Sequence, residues 1–216
     1  KKEIVIDDNE DWWSVAVSPS ARYLAMTRTS DENIIWLFDL DQQIVRELTL
    51  YQPTTSQINP HADIVKNVDA LVFSDDRMLI YDCYNSQPIA GGGTNDFWTV
   101  NMIDVETGDI FSLLPPQREG VQLRNPILAS TDNTILCIER VTGDVVEILG
   151  VDLVTGKTKV VLNNGSDIAS ADYSVDDTRL VFNRTGESGS SEVWGVAMGP
   201  DKMSAVSDVV RFFENA

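Results

Sequence analysis

Apolar and polar positions alternate in short segments that end in polar turns, which is the two-residue period of β-strands. The clearest example covers residues 14–49. Its four apolar runs are 14–18, 22–28, 34–40 and 44–49. Helical spacing of apolar residues is missing here, and only Ser207–Phe213 is compatible with a helix. The pattern therefore predicts an antiparallel meander of four strands as the building unit of the chain.

This unit returns three more times along the chain. Each copy has a serine at its first turn, followed by a second strand, a third strand that ends at an acidic or polar turn, and a last strand. The four serines are 56, 56 and 44 residues apart: Ser18, Ser74, Ser130 and Ser174. Such a period is typical of propeller blades, whereas a sandwich would not keep it. We predict an all-β fold, a β-propeller of about four four-stranded antiparallel blades.

The blades are predicted to form one domain over residues 1–216. Their approximate ranges are 12–50, 67–114, 123–162 and 168–210. Residues 4–18 match residues 160–174 in hydrophobic pattern, so residues 1–7 are predicted to hold a fourth strand of a preceding or closing blade. Such a strand either closes a ring with the last blade or belongs to a longer propeller. Open edges would pair with other chains, so a partial ring requires another segment or subunit to cover them.

Two short motifs recur at fixed places in the units. The first lies at the serine turn: Ser18-Pro19, Ser74-Asp75, Ser130-Thr131-Asp132 and Ser174-Val175-Asp176. The second ends the third strand in three units: Asp39-Leu40, Asp104-Val105 and Asp152-Leu153. With these motifs the chain resembles the TolB-like, or WD40-like, β-propeller repeat family. Members usually have six or more blades, so the resemblance implies a partial ring. The motifs mark turns rather than chemistry, and the resemblance carries over no functional residue.

Charge argues against two kinds of partner. The chain has 16 Lys and Arg against 34 Asp and Glu, a net charge of −18, which opposes approach to nucleic acid and to anionic membrane surfaces. No apolar run approaches the ~20 residues of a membrane-spanning helix, so membrane insertion is not expected. Cys83 and Cys137 lie inside apolar runs at different places of their repeats, which predicts buried, unpaired thiols.

The sequence offers no arrangement typical of catalysis, cofactor binding or metal binding. His61 is the only histidine and lies in a polar linker, without the partner spacing of a triad or a zinc site. Residues 7–11 begin like a calcium loop of the EF-hand type, but Trp12 and Ser18 replace the glycine and the glutamate that the loop requires. We therefore predict a non-enzymatic chain with no cofactor and no metal.

Connection length predicts where a partner binds. In a four-stranded meander, first-to-second and third-to-fourth connections leave at one end, and second-to-third and blade-to-blade connections leave at the other. All short connections are expected at the first end. The long ones are expected at the second: Tyr51–Lys66, Asn85–Asp96, Pro115–Asn125 and Gly186–Ser191. Long loops on a rigid scaffold commonly bind partners. The candidate contact residues are Tyr51, Ile58, His61, Ile64 and Ile89, together with Trp12 and Trp13.

Three functions remain open. The first is a non-catalytic module for protein–protein interaction or assembly, including self-association. The second is the propeller domain of a larger prolyl-oligopeptidase-like serine peptidase, and the third is a propeller that binds a glycan or small ligand. Trp36, Trp98 and Trp194 occupy similar repeat positions and are predicted to pack between blades. An extracellular or periplasmic location is expected from two glycosylation sequons, with a cytoplasmic location as the alternative.

Overall fold

Sixteen strands form four antiparallel sheets in the computed structural model, which describes residues 11–53, 64–115, 117–163, 168–186 and 189–214. The first blade contains β1 (Trp12–Val17), β2 (Tyr23–Arg28), β3 (Ile35–Asp39) and β4 (Ile44–Leu48). The second contains β5 (Val65–Phe73), β6 (Met78–Pro88), β7 (Thr94–Asp104) and β8 (Ile110–Ser112). The third contains β9 (Val121–Leu128), β10 (Ile135–Thr142), β11 (Val145–Asp152) and β12 (Thr158–Asn163). The fourth contains β13 (Ala169–Tyr173), β14 (Arg179–Thr185), β15 (Ser191–Ala197) and β16 (Val210–Glu214). The sheets are blades of a β-propeller, which confirms the predicted fold class.

Acidic residues fix the turn between the first two strands of a blade. The Oδ1 atom of Asp75 accepts the backbone N–H groups of Arg77 at 2.7 Å and Met78 at 2.8 Å. In the third blade, Asp132 accepts the N–H of Thr134 at 3.1 Å and its hydroxyl at 2.6 Å. Short side chains that bond the backbone two or three residues on stabilise tight turns. The serine-centred motif of the sequence is therefore a turn motif.

A second aspartate fixes the hairpin after the third strand. Asp39, Asp104 and Asp152 each accept two backbone N–H groups from residues that follow them, at 2.9 to 3.2 Å. The pKa of Asp104 lies below its usual value, first because the Arg77 guanidinium bonds it and then because these amides do. The fourth blade lacks this aspartate, and there β15 and β16 are joined by the longer connection 198–209.

Neighbouring blades pack face to face through apolar side chains. Fully buried members between the first two blades include Ala25, Ile35, Leu37, Leu79, Tyr81 and Cys83. Between the second and third they are Ile80, Val100, Leu136 and Ile138, and between the third and fourth they include Cys137, Ile148, Leu180 and Phe182. Cys83 and Cys137 are buried and free, as predicted.

Hydrogen bonds also join the first turns of neighbouring blades. The carboxylate of Asp177 in the fourth blade accepts the N–H groups of Ser130 at 2.6 Å and Thr131 at 2.9 Å in the third. Lys202 completes this contact, with its Nζ 2.9 Å from the Asp177 carboxylate. Ser20 with Asp76, and Ser74 with Asn133, join the other adjacent turns. These polar contacts tie the turns of successive blades together.

Buried carboxylates hold the irregular backbone of two first strands. Asp82 is fully buried and accepts the N–H groups of Ala70 in its own blade and Asn125 in the next, both at 2.7 Å. Glu139, also buried, accepts the Asn125 side-chain amide at 2.6 Å and lies 3.3 Å from Arg124. Burial raises the pKa of Asp82 to about 6 and also raises that of Glu139.

Three stretches differ from the elements expected for them. The second half of the predicted loop Pro115–Asn125 belongs to β9. The predicted loop Asn85–Asp96 is mostly β-hairpin, because β6 and β7 stay paired as far as Pro88 and Thr94. Asn85 is buried there and donates to the Cys83 carbonyl at 3.0 Å, so a polar residue has its hydrogen bond inside the sheet. The segment expected to be compatible with a helix contains most of β16, which pairs with β15, because pairing with a neighbouring strand overrides local preference.

The predicted tryptophan packing is confirmed in one blade. Trp194 packs against the apolar core between the third and fourth blades, and its Nε1 donates to Glu192 at 2.8 Å. Trp36 is half-buried and lies on the opposite face of its strand from Leu37, away from the second blade. Equal places in the repeat thus have different environments, because Trp194 faces a neighbouring blade.

Packing links the first blade to the second, the second to the third and the third to the fourth. Among the described residues, strands of the fourth and first blades make no contact of this extent. The strand predicted for residues 1–7 lies outside the described part of the chain. None of the described residues forms a helix long and apolar enough to cross a membrane.

Candidate functional site

The two ends of the propeller carry different connections. We call the end with the first-to-second and third-to-fourth turns the short-turn end, and the opposite end the long-connection end. Two connections depart from the predicted asymmetry. Residues 143–144 join β10 to β11 tightly at the long-connection end, and the long connection 198–209 lies at the short-turn end.

One cavity lies at the long-connection end, between the second and third blades. It is a groove of about 510 Å³ between the β6–β7 hairpin and the segment that leads into β9, and we call it the hairpin groove. Its apolar lining includes Ile89, Phe97, Trp98 and Leu114. Its polar lining includes Gln87, Asn95, Thr99, Gln117, Arg118 and Glu119. Apolar walls with a few polar groups are typical of binding sites.

The unequal lengths of the strands build this groove. β7 has eleven residues, whereas β8 has only three and pairs with Asn101, Met102 and Ile103. The first half of β7 therefore projects beyond its outer partner, and the chain after β8 crosses to the third blade and forms the opposite wall. Gln122 of β9 fixes the distance between the walls, because its Oε1 accepts the backbone N–H of Trp98 at 2.5 Å.

A second groove, of about 360 Å³, lies beside the first between the first two blades, and we call it the tryptophan groove. Trp13 is 67% exposed at its edge, and its Nε1 donates to Asp69 at 2.5 Å. Across this groove, Asn67 donates to Glu32 at 3.1 Å. Trp98 lines both grooves, so one indole separates two depressions on the same end of the molecule.

Electrostatics beside the grooves are mainly acidic. Hydrogen bonds from Ser86 and then from Thr94 hold the pKa of Asp96 below its usual value, so this carboxylate stays charged at neutral pH. Burial raises the pKa of Tyr84, whose ring lies 5.6 Å from that of Trp98. Among the described ranges, no group of three His, Cys, Asp or Glu side chains is placed to hold a metal ion.

The candidate contact residues are spread over several environments. Ile89, 50% exposed, lines the hairpin groove, and Trp13 lines the tryptophan groove. Trp12 is half-buried and stacks with Arg28, which lies 4.1 Å from its ring. The pair Trp12 and Trp13 therefore faces opposite ways, as alternation predicts.

Two other candidates lie inside the fold rather than on a contact surface. Ile64 is only 2% exposed, and its carbonyl accepts the Ser86 N–H at 2.8 Å. Tyr51 packs against the core between the first two blades, and its hydroxyl accepts the Ile110 N–H at 3.1 Å. Their sequence had no strand pattern to bury them, but Ile64 is joined to β6 of its own blade and Tyr51 packs against the core between two blades. Ile58 and His61 lie outside the described residues.

Sequence reasoning missed the central residue of the site. Trp98 was expected in the blade-packing core with Trp36 and Trp194, but it is half-buried between the two grooves. The available signal was its place in the run from Thr94 to Thr99, directly after the three glycines of the hairpin tip. Strand length was not readable from that pattern, and the groove depends on it.

No protein-family model and no curated protein sequence matches this chain. Solved structures do match it. A putative TolB from Agrobacterium tumefaciens is 16% identical with a TM-score of 0.65, over 99% of this chain and 66% of that one. TolB from Acinetobacter baumannii is 14% identical with a TM-score of 0.63, over 98% of this chain and 46% of that one. The predicted resemblance to TolB propellers is confirmed at the level of structure.

An enzyme matches as well as these TolB structures do. The oligogalacturonate lyase from Vibrio parahaemolyticus is 11% identical with a TM-score of 0.63, over 98% of this chain and 55% of that one. At such identities the likeness shows the β-propeller fold alone. The chain spans from about half to two-thirds of the length of these three structures.

Proposed function

We propose that this propeller is a non-catalytic module for protein–protein interaction, and that its contact surface is the long-connection end. The observation that carries the proposal is the hairpin groove, where Ile89, Phe97, Trp98 and Leu114 line a depression on a rigid scaffold. Aromatic residues in such depressions contribute much of the binding energy in protein interfaces. The propeller supplies the rigidity, because β7 is hydrogen-bonded along its whole length to β6.

The net charge of the chain favours a basic partner. With −18 on the chain, a partner that presents basic residues around an apolar anchor fits best, because opposite potentials speed association and like charges oppose it. Glu119 supplies an acidic group in the lining of the hairpin groove, and Asp96 supplies another on β7, beside the lining residues Asn95 and Phe97. An extracellular or periplasmic setting remains part of this proposal.

The test selects linear peptides from a displayed random library on the wild-type protein and measures their affinity by calorimetry. Trp98→Ala and Ile89→Asp should each weaken the selected peptides about tenfold or more. Phe111→Ala is the matched control, because Phe111 is an exposed aromatic residue, 48% accessible, on the outer strand of the same blade. Circular dichroism melts establish that the variants are folded. Peptides that bind all variants equally would contradict the proposal.

A glycan-binding role is the second candidate, and the lining of the grooves favours it. Trp98 and Trp13 offer indole faces, while Gln87, Asn95 and Gln117 offer amides that can bond hydroxyl groups. A glycan array separates the two functions. Glycan binding that Trp98→Ala or Trp13→Ala abolishes, together with no peptide selected at the groove, would favour the glycan.

A further inference from the structure

The inner wall of the hairpin groove is an open strand edge. β8 pairs with only three residues near the end of β7, from Asn101 to Ile103. Residues 94–100 of β7 are paired on one side with β6, and among the described residues no strand pairs with their other side. Sheet edges of this kind present unpaired main-chain groups that another strand can bond.

The direction of individual backbone groups follows from the hydrogen bonds of β7. Val105 donates its N–H to Arg77, on the β6 side, whereas Asp104 donates to Asp109, on the β8 side. The register between β6 and β7 is uninterrupted, so even-numbered residues face away from β6 along the whole strand. Trp98 agrees with this, since its N–H points across the groove to Gln122.

By the same alternation, the N–H and C=O groups of Thr94 and Asp96 face the groove. Thr94 and Asn95 are among the residues that line it, together with Phe97 and Trp98. The edge is recessed between the hairpin and the segment 117–121 on the opposite wall. A recessed edge admits a single extended chain and excludes the flat edge of another sheet.

We propose that the hairpin groove binds an extended peptide segment of the partner protein as an added strand, antiparallel to β7 and in line with β8, paired with Thr94 and Asp96. This inference rests on the proposed function and specifies how the partner is bound. Main-chain hydrogen bonds supply affinity in strand addition, and pockets for alternate side chains supply specificity. One peptide side chain packs on Trp98 and Leu114, and a basic side chain lies near Asp96 and Glu119.

A peptide fits this edge better than a sugar does. Main-chain donors and acceptors of β7 repeat every second residue along the edge, which is the spacing that another polypeptide in extended conformation presents. The fold also defines the path of the peptide. The chain leaves β8 at Leu113 for the third blade, and the peptide would occupy the line along β7 that a longer β8 would have taken.

Hydrogen exchange tests the pairing inside one strand. A peptide selected as described above is added to the wild-type protein, and amide exchange is followed residue by residue. Exchange at Thr94 and Asp96 should slow by about tenfold or more on binding, because their N–H groups gain partners. Asn95 and Phe97 are the matched controls, since their groups face β6 and are bonded in both states.

The test is completed by a substitution in the protein, with its control, and by a modification of the peptide. Asp96→Pro removes an edge donor without touching the β6 ladder, so it should weaken the peptide about tenfold or more. Thr158→Pro is its control. The Lys157 carbonyl accepts the backbone N–H of Asp152 in β11, so the backbone N–H of the next residue, Thr158, faces away from β11. Thr158 also lies far from the groove. N-methylation of successive peptide amides should weaken binding at every second position.

The outcomes separate the two proposals. If no selected peptide depends on Trp98, the proposed function fails. If peptides need Trp98 but tolerate Asp96→Pro and every N-methyl group, and Asp96 exchange is unchanged, the function stands and strand addition is wrong. Should the wild-type protein self-associate through this edge, so that Asp96→Pro alone makes it monomeric in light scattering, the occupant is a second copy, and the peptide inference is overturned.

Discussion

The short-turn end and the long-connection end of this propeller use polar residues for different purposes. At the short-turn end, carboxylates bond the turns of their own blade and of the next one, as Asp177 does with Ser130 and Thr131. A cavity of about 360 Å³ there is lined by charged side chains already paired with each other, such as Arg22 with Asp39 at 3.1 Å. The polar side chains of the short-turn end therefore stabilise the turns and the contacts between blades.

At the long-connection end, β7 extends beyond its partner β8, which leaves an unpaired strand edge and a groove. The lining of the hairpin groove is half-exposed, and the main-chain groups of Thr94 and Asp96 face it. On the proposed function, the binding surface and the scaffold are therefore separated along the strand direction, and four experiments test this separation.

The largest effect is expected from Asp177→Ala at the short-turn end. The substitution leaves two backbone N–H groups without their acceptor and takes one partner from Lys202, which keeps its bond to the Thr131 hydroxyl at 2.6 Å. The unpaired N–H groups and the lost ion pair together should cost about 3–5 kcal/mol. Urea denaturation measures the loss. Asp144→Ala, at an exposed position in the β10–β11 turn, is the control and should change little. Equal stability of the two variants would show that the short-turn end does not carry the scaffold.

The second effect is a pH dependence from Asp82, between the two ends. Its folded pKa of about 6 is above the ordinary 3.8, because burial disfavours the charge. This group therefore favours folding fully below pH 3.8, and the benefit is lost as the pH rises through 6. The change is on the order of 2–3 kcal/mol.

The measurement compares wild type with Asp82→Asn by urea denaturation at several pH values. The variant is less stable overall, because an amide cannot accept both the Ala70 and Asn125 N–H groups. Its stability relative to wild type should improve from pH 4 to pH 7, since only the wild type pays for burying a charge. A constant difference across that range would contradict the raised pKa.

Asp132→Ala should have a smaller effect. Asp132 bonds the Thr134 amide and hydroxyl on a partly exposed turn, so its loss costs about 1 kcal/mol. Peptide affinity at the hairpin groove should stay unchanged, because the turn lies at the opposite end. Restoration of stability by Asp132→Asn, which keeps an acceptor oxygen, is the control. If Asp132→Ala binds the peptide more weakly although it is as stable as the wild type, the two ends do not have separate roles.

The smallest effect is expected at the hairpin tip. Replacing Ala90, Gly91 and Gly92 with Asn-Gly keeps the closing bond from Ile89 to the Gly93 carbonyl and gives a two-residue hairpin. Nothing lies within 4 Å of a Cβ placed at Gly91 or Gly92, so stability should change by less than about 0.5 kcal/mol. Thermal denaturation measures this. A large loss would show that the tip belongs to the scaffold.

The turn motifs were predictable because each acts within a few residues of its own position. Asp75, Asp132 and Asp152 bond backbone groups two or three residues ahead, so their role is readable from local sequence. Asp177 was readable as a turn residue, but its bonds to the third blade were not, because they join residues 46 and 47 positions apart.

The candidate site was predictable only in outline. The sequence placed a binding surface at the end that carries the long connections, and the hairpin groove lies there. The sequence did not place Trp98 in that groove, and it predicted Ile64 on the contact surface, whereas Ile64 is only 2% exposed. Alternation gives the face of a strand but not the length over which a partner strand covers it.

Sequence alone determined the repeat, the four-strand meander and the turns, because a two-residue period and short polar turns are local properties of the chain. Tertiary structure decided everything that depends on where strands end relative to one another. The three-residue β8 beside the eleven-residue β7 leaves the edge open, and the crossing to the third blade closes the edge into a groove. Neither feature has a local signal, because strand pairing is settled by contacts between distant residues.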